Sequence, residues 1–456
     1  MHIPKISNAK TFILQVFHLH YLFLSYFMSN KTKSRRNFIK LAVFSGISGI
    51  ISPLKSIATS SRSFKFDLKK SVAQFQTPIN QTLIRKLFPL ELKKSYFNLA
   101  SHSLISNEVI NRISEILTYY STVATNDRKP MEQCRESLAK LFKVDKRKIA
   151  LTRNATESAN IVAKGLELNA NDEVIITTHE HIGGASPWIA LAKEKGIKVI
   201  PVELDLAGKT NLERIEKNIT SKTQVIYVSH ITCTTGMCLP VESIVRLCQK
   251  KNIISCIDGA QAMGMIPLDI GKINPDFYIG CGHKWLLGPR GTGILYAKDT
   301  SLLTPVFIGS YSDADFNLAK TTITYRDEIS REEYGTRNIA LYGGLSSSIE
   351  LLESLTLENI SQYASSLATY FRHQLEDDSK ITFLSPKMKK YSSSIVTIRL
   401  LNTNNRDAVN NLLNKHNIFA RWIYECNLDA IRISFSILNS EQEVDRLILT
   451  LRELNQ

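Results

Sequence analysis

Three things are scarce in this chain. No acidic residue occurs among the first 66 of its 456 residues, although 42 Asp and Glu follow. No two cysteines stand at the CxxC spacing of a zinc or redox motif, and the seven present are an odd, scattered set. No GxGxxG or GxxxxGK(S/T) pattern opens a helix, which argues against a nucleotide-dependent α/β enzyme. Each absence narrows the field. The formal charge of +15 invites a nucleic-acid partner, but ten of the 57 Lys and Arg lie in the acid-free first 66 residues. The remainder holds 47 bases against 42 acids, a balance of +5 that is ordinary for a soluble domain and implies no nucleic acid. The cysteines read as reduced, mostly buried small residues made in the cytoplasm, with neither a disulfide framework nor a metal site.

The basic start reads as an address. Residues 34–52, "SRRNFIKLAVFSGISGIIS", pair Arg35 with Arg36 ahead of a mildly apolar stretch, which is weaker than the roughly 20 apolar residues of a membrane span. The segment resembles a twin-arginine export signal, with Ser56-Ile57-Ala58 as its cleavage site. The alternative is a basic amphipathic tail. The expectation is export to the periplasm by the twin-arginine machinery with a mature start near residue 59, or a cytoplasmic protein if the signal is unused. Met28 opens a well-proportioned signal, so residues 1–27 are expected to be an upstream extension or an added apolar segment. Gln15, His18 and His20 weaken a spanning reading of that piece.

Beyond residue 66 the sequence divides into an N-terminal segment (67–120), a large domain (121–325) and a smaller α+β domain (326–456). In the large domain, Val/Ile-rich runs at 172–178, 197–204, 223–231, 253–260 and 276–282 alternate with helical patterns such as "PWIALAKEKG" and "VESIVRLCQKKN". That rhythm predicts an α/β fold with a large, mainly parallel sheet flanked by helices. The last part adds helical patterns and the strands "SSIVTIRL" and "AIRISFS".

In such a sheet, ligands gather outside the carboxyl ends of the strands. Asp258 closes one strand, Lys284 follows another 26 residues later, and Glu180-His181 follows a third. Each has an ordinary explanation alone: a turn aspartate, a surface lysine, a loop histidine. Together they suit pyridoxal phosphate, whose aldehyde needs a lysine and whose ring nitrogen needs a carboxylate. "TRNATESANIVAKGL" adds hydroxyls and backbone N–H groups at a helix start, where a phosphate binds.

The segments "NATESANIVAKGL", "THEHIGGASPW", "IDGAQAMGMIPLDI", "CGHKWLLGPRGTGILY", "EEYGTRNIA" and "IRISFSILNSEQEVDRL" resemble, in order, those of class V, fold-type I pyridoxal-phosphate enzymes. That group includes cysteine desulfurases and isopenicillin N epimerases. The resemblance spans roughly residues 85–456. It implies the following roles. Lys284 forms the Schiff base and moves the α-proton. Asp258 pairs with the pyridinium nitrogen, Gln261 bonds the ring hydroxyl, and His181 stacks on the ring and assists proton transfer. Ala155, Thr156 and His283 hold the phosphate, and Thr336 reaches the phosphate of the neighbouring subunit in a homodimer. Arg432 clamps the substrate carboxylate. Two positions depart from the pattern: Cys233 stands where many desulfurases have asparagine, and Cys281 replaces a frequent serine, weakening one phosphate contact.

The resemblance implies chemistry at the α-carbon of an amino acid without selecting the reaction. The short connection between Arg421 and Arg432 is most similar to transaminase-type and epimerase-type members, which is the expectation. A desulfurase with Cys426 as nucleophile, six residues before Arg432, is the alternative. A non-catalytic exported binding protein that keeps the fold is a third reading, opposed by the presence of both Lys284 and Asp258.

Overall fold

The computed structural model describes residues 79–456, apart from 92 and 126. The expected export signal, its cleavage site and the piece before Met28 lie outside these residues. Seven strands build the central sheet: β1 Ile149–Thr152, β2 Glu173–Thr177, β3 Lys198–Val202, β4 Thr223–Ser229, β5 Ile254–Asp258, β6 Phe277–Cys281 and β7 Gly293–Ala297, in the order β1-β7-β6-β5-β4-β2-β3. The five expected strands, β2 to β6, run parallel. β7 is antiparallel to β6 and to β1, so the sheet is mixed.

Helices cover both faces, and this is why the strands read as unbroken apolar runs. Successive residues of a strand point to opposite sides. Ile175, Ile226, Ile257 and Tyr278 face helix α2 (Lys129–Phe142), which follows α1 (Asn107–Val123). Val174, Val225, Cys256 and Phe277 face α3 (Ala155–Gly165) and α4 (Ile182–Lys195), whose Ile161, Val162, Trp188 and Leu191 join the same core. Helix α5 (Val241–Lys251) returns Ile244 and Val245 to the first face.

Helix α6 (Ile339–Leu355) packs on α1, where a Cβ added at Gly343 would lie 2.1 Å from Ile116 Cδ1. Beyond it, β8 Ile381–Phe383, β9 Ile395–Leu400, β10 Arg421–Ile423 and β11 Ala430–Ser434 form an antiparallel sheet in the order β8-β9-β11-β10. Helices α7 (Leu357–Leu375), α8 (Asn405–His416) and α9 (Glu441–Leu454) close its core through Phe371, Leu412 and Leu447. A reciprocal pair of bonds between Ser440 and Glu443 caps α9. The fold is the expected α/β architecture with a smaller α+β sheet. All seven cysteines are unbridged and five are buried.

Two features bring distant chain to the ends of the sheets. Ser95–Tyr96 pairs in parallel with Ile418–Phe419, and Ser434 N donates to Phe97 O at 2.8 Å. This sets residues 98–101 beside β11. The "EEYGTRN" segment is fixed on β1 by Glu333, which is 1% exposed and accepts from Leu151 N (2.6 Å), Arg135 Nη1 (2.6 Å), Arg135 Nη2 (2.9 Å) and Arg128 Nη2 (3.1 Å). Replacing Glu333 by alanine leaves Arg135 buried with only the exposed Glu132 as counter-ion. We expect a loss of about 3–5 kcal/mol, the usual result of removing one member of a buried ion pair. It is measured as a lowered urea midpoint, and a midpoint within error of the parent would show that Glu132 suffices.

Candidate active site

The carboxyl ends of β2, β4, β5 and β6 meet residues 100–101 and the N-termini of α3 and α4 around a cavity of about 490 Å³. Ala155, Thr156, His181, Asp258 and Gln261 line it, as do Cys281, His283, Lys284 and Arg432. The chain thus brings together every expected site residue except Thr336. That threonine lines an adjoining cavity of about 790 Å³, which shares Ser101, Asn154 and His283 with the first.

Lysine 284 occupies a tight turn, which explains its setting in "CGHKWLLGPRG". Lys284 O accepts from Leu287 N (3.0 Å), Gly282 O from Gly288 N (2.8 Å), and Leu287 adopts a left-handed conformation. The indole of Trp285 donates to Gln261 Oε1 (2.7 Å), whose Nε2 donates to Ala100 O (3.0 Å). Gln261 is therefore held in place from two sides.

Asp258 ends β5. Its Oδ2 accepts from the Tyr227 hydroxyl (3.0 Å) and its Oδ1 from Ala260 N (2.8 Å), which aims the carboxylate through neutral donors. His181 caps α4, with Nδ1 accepting from Gly183 N (3.0 Å), so the ring proton sits on Nε2. Burial, helped by the charge of Lys284, holds the His181 pKa below the usual histidine range and keeps the ring neutral. The close approach of α4 to its neighbours requires glycine. A Cβ at Gly183 would lie 2.3 Å from Thr156 Oγ1, and one at Gly184 2.0 Å from the Tyr227 hydroxyl.

Two kinds of anion site stand in this wall. At one, Asn154 caps α3 by accepting from Glu157 N (2.8 Å), while Ala155 and Thr156 supply first-turn N–H groups that no helix satisfies internally. His283 adds a buried Nδ1 that has no hydrogen-bond partner among the described residues. Burial first, then Lys284, pushes its pKa down to about 4, so the ring is neutral. At the other, Arg432 is completely buried and forms no ion pair with a carboxylate among the described residues. Nη1 donates to Cys233 O (2.7 Å) and Nη2 to Ser101 Oγ (2.7 Å), while Nε has no partner among the described residues. Burial, then the neighbouring Arg421, lowers its pKa to about 10, which still leaves it charged at neutral pH.

The unmatched groups fit pyridoxal phosphate and an amino acid: a phosphate for α3 and His283, a carboxylate for Arg432, and a ring nitrogen for Asp258.

Sequence reasoning missed three contributors. Ser101 and Asn98, the latter 3.3 Å from Arg432 Nη2, come from the opposite end of the chain. Arg421 faces Arg432 as its register partner across β10 and β11 and lines the cavity, paired there with Glu425. Its position opposite an expected anion-binding strand was the available signal. Cys426 does not line the cavity. It is exposed, and its Sγ donates to Thr178 O at 3.1 Å.

A family model described as aminotransferase class-V matches residues 95–447. A probable cysteine desulfurase of Pyrococcus abyssi is 29% identical over 395 residues, covering 81% of this chain and 96% of that protein. The cysteine desulfurase CsdA of Escherichia coli superimposes with a TM-score of 0.74 at 25% identity, over 82% of this chain and 98% of that one. C-DES, a cystine C–S lyase seen with its product cysteine persulfide, gives 0.75 at 25% identity over 81% and 100%. A variant of C-DES with glycine covalently linked to its PLP cofactor gives 0.76 at 25% over 81% and 99%. These relatives correspond to the desulfurase alternative better than to the transaminase or epimerase expectation. With the family match running through both sheets and the cavity between them, the chain belongs to the aminotransferase class-V family, whose pyridoxal phosphate is its cofactor and an amino acid its substrate.

Proposed function

We propose that this enzyme removes sulfur from cysteine or a closely related amino acid, with Cys426 as the thiol that receives it. The observation that carries the proposal is where Cys426 stands. It lies in the turn between β10 and β11, where Cys426, Asn427 and Asp429 are all left-handed, and it is bonded to Thr178 at the strand end that carries His181. The cofactor, when bound, supplies the electron sink for charge developing at the substrate α-carbon.

The remaining tasks fall to this chain. Arg432 holds the substrate carboxylate with a planar donor set that lysine does not match. The Lys284 amine takes and returns the α-proton, beside a neutral His181 that carries its own proton on Nε2. Asp258, oriented by Tyr227 and Ala260, keeps a lone pair for the ring nitrogen.

Although the residue is exposed overall, partial enclosure of its sulfur, with Cys233 and Glu425 adding to it, pushes the Cys426 thiol up to about 11, so at rest it is protonated. Displacement toward the cavity brings it to Arg432, Lys284 and Arg421, the cations that partly offset the rise that burial imposes on the Cys233 thiol. Transfer therefore requires the turn to release Thr178. We also infer a homodimer, supported by the position of Thr336 in a cavity that shares His283 with the site.

A second reading, direct lysis of a carbon–sulfur bond without a receiving thiol, is favoured by the short reach from Cys426 to Arg432. One variant separates the two. Cys426→Ala is expected to keep the cofactor's visible band while cysteine-driven persulfide formation falls by roughly 100-fold or more, the low end of what losing a covalent nucleophile costs. Undiminished sulfide release from cysteine or cystine by this variant would replace the proposal with the lyase reading.

A further inference from the structure

Among the buried acids that the mechanism above leaves unused, Glu180 is the one that reaches the cofactor site. Glu180 lies between the end of β2 and His181, and its carboxyl is enclosed by three donors. Thr177 Oγ1 donates to Oε1 at 2.5 Å, Ser229 N donates to Oε1 at 3.0 Å, and the Ser229 hydroxyl bonds Oε2. Ser229 ends β4, lines the cavity, and is the register partner of Asp258 on β5. A side chain from the loop after β2 thereby grips both the backbone and the hydroxyl of the residue beside the ring-binding carboxylate. No turn or cap needs this arrangement, since α4 is capped by His181 instead.

We propose that Glu180 is a positioning residue for Asp258: by fixing Ser229 it sets the distance between β4 and β5 where the cofactor ring nitrogen is received. The proposal rests on the cofactor already assigned and extends the site to a residue that does not itself touch the ring.

The electrostatics give it a distinctive signature. Burial, the largest influence, raises the Glu180 pKa to about 7 against the hydrogen bonds from Ser229 and Thr177, and the charge of Asp258 adds to the rise. The titratable groups around it are Asp258 and Cys256 on β5, Tyr227 on β4, Cys426 in the turn after β10, and the flanking His179 and His181, both kept below the usual histidine range by burial. None of these is a cation. As the pH rises through neutrality, Glu180 changes from a neutral acid to an anion that accepts from all three donors. A second negative charge then stands behind Asp258, on the side that favours a protonated ring nitrogen.

The test uses the apoprotein of the parent, Glu180→Gln and Glu180→Ala, titrated with pyridoxal phosphate between pH 6 and 9 and followed by visible absorbance. The glutamine amide accepts from Ser229 N and donates to the Ser229 hydroxyl, so positioning survives while the charge is removed. Expected are an affinity within about three-fold of the parent for Glu180→Gln, at least ten-fold weaker binding for Glu180→Ala, and a step in the parent's band near pH 7 that Glu180→Gln lacks. Equal weakening of both variants would reduce Glu180 to a bulk structural role, and a step that persists in Glu180→Gln would assign the titration elsewhere. Should neither variant fold, Ser229→Ala removes one bond to the carboxyl and is expected to move the step to higher pH. An unmoved step would overturn the proposal. A parent protein that forms no band at all would instead count against the cofactor itself, so the two failures are distinguishable.

Discussion

Lys284→Ala abolishes the visible band of the covalently held cofactor, and turnover falls by roughly 10³-fold, within the range that loss of a positioned proton-transfer group produces. The size of the effect follows from the surroundings. The lysine stands in a turn closed at both sides by Gly282 and Gly288, so no neighbouring side chain moves into its place. His181, which lines the same cavity, is a candidate to take over the proton. Its Nδ1 is committed to Gly183 and its pKa is depressed, which leaves it a poor base. Lys284→Arg restores the charge but not the nucleophile, since a guanidinium does not deprotonate at working pH. The measurement is an absorption spectrum of each purified variant with and without added amino acid. A band that survives in Lys284→Ala would remove this residue from its role.

Arg432→Gln weakens amino-acid binding by roughly 100-fold, about 3 kcal/mol, the cost expected when a buried, hydrogen-bonded charge contact is truncated. Cofactor affinity changes little, because Asp258, α3 and His283 are untouched. The structure makes this arginine costly to keep. It is fully buried, its own chain offers it only neutral acceptors, and Arg421 lies opposite it in the register, where like charges repel. An anion relieves all three penalties at once. Arg432→Lys recovers only part of the loss, because an ammonium has no planar pair of donors. Titration of the cofactor band with cysteine separates the effects, and equal half-saturation in parent and Arg432→Gln would place the carboxylate elsewhere.

How much of this was legible in the sequence depends on distance along the chain. The five parallel strands were legible because burial on both faces makes them continuous Val/Ile runs. Lys284, Asp258 and His181 were legible because each follows such a run at the end where ligands bind. β1, with only four residues, and β7, hidden inside a glycine-rich motif, gave no comparable periodic signal. The contribution of Ser101 to Arg432 was invisible for a different reason. It depends on a parallel pairing of Ser95–Tyr96 with Ile418–Phe419, two residues long, that no local pattern announces. Cys426 was weighed on loop length and composition, whereas its bond to Thr178, 248 positions away, places it beside the site.

That same short pairing at residues 95–101 has a consequence for the order in which the enzyme is made. The groups suited to gripping the cofactor, from Asn154 to Lys284, lie in the middle of the chain and depend mainly on neighbouring strands. Arg432 meets Ser101 across 331 positions, and Arg85 meets Leu438 across 353. Contacts this remote form late, since closing a long loop costs entropy before any contact repays it. On the ribosome, the middle of the chain emerges well before its last strand, so a cofactor cradle precedes the substrate clamp. Selectivity for amino acids is therefore expected only once Ser101 has met Arg432.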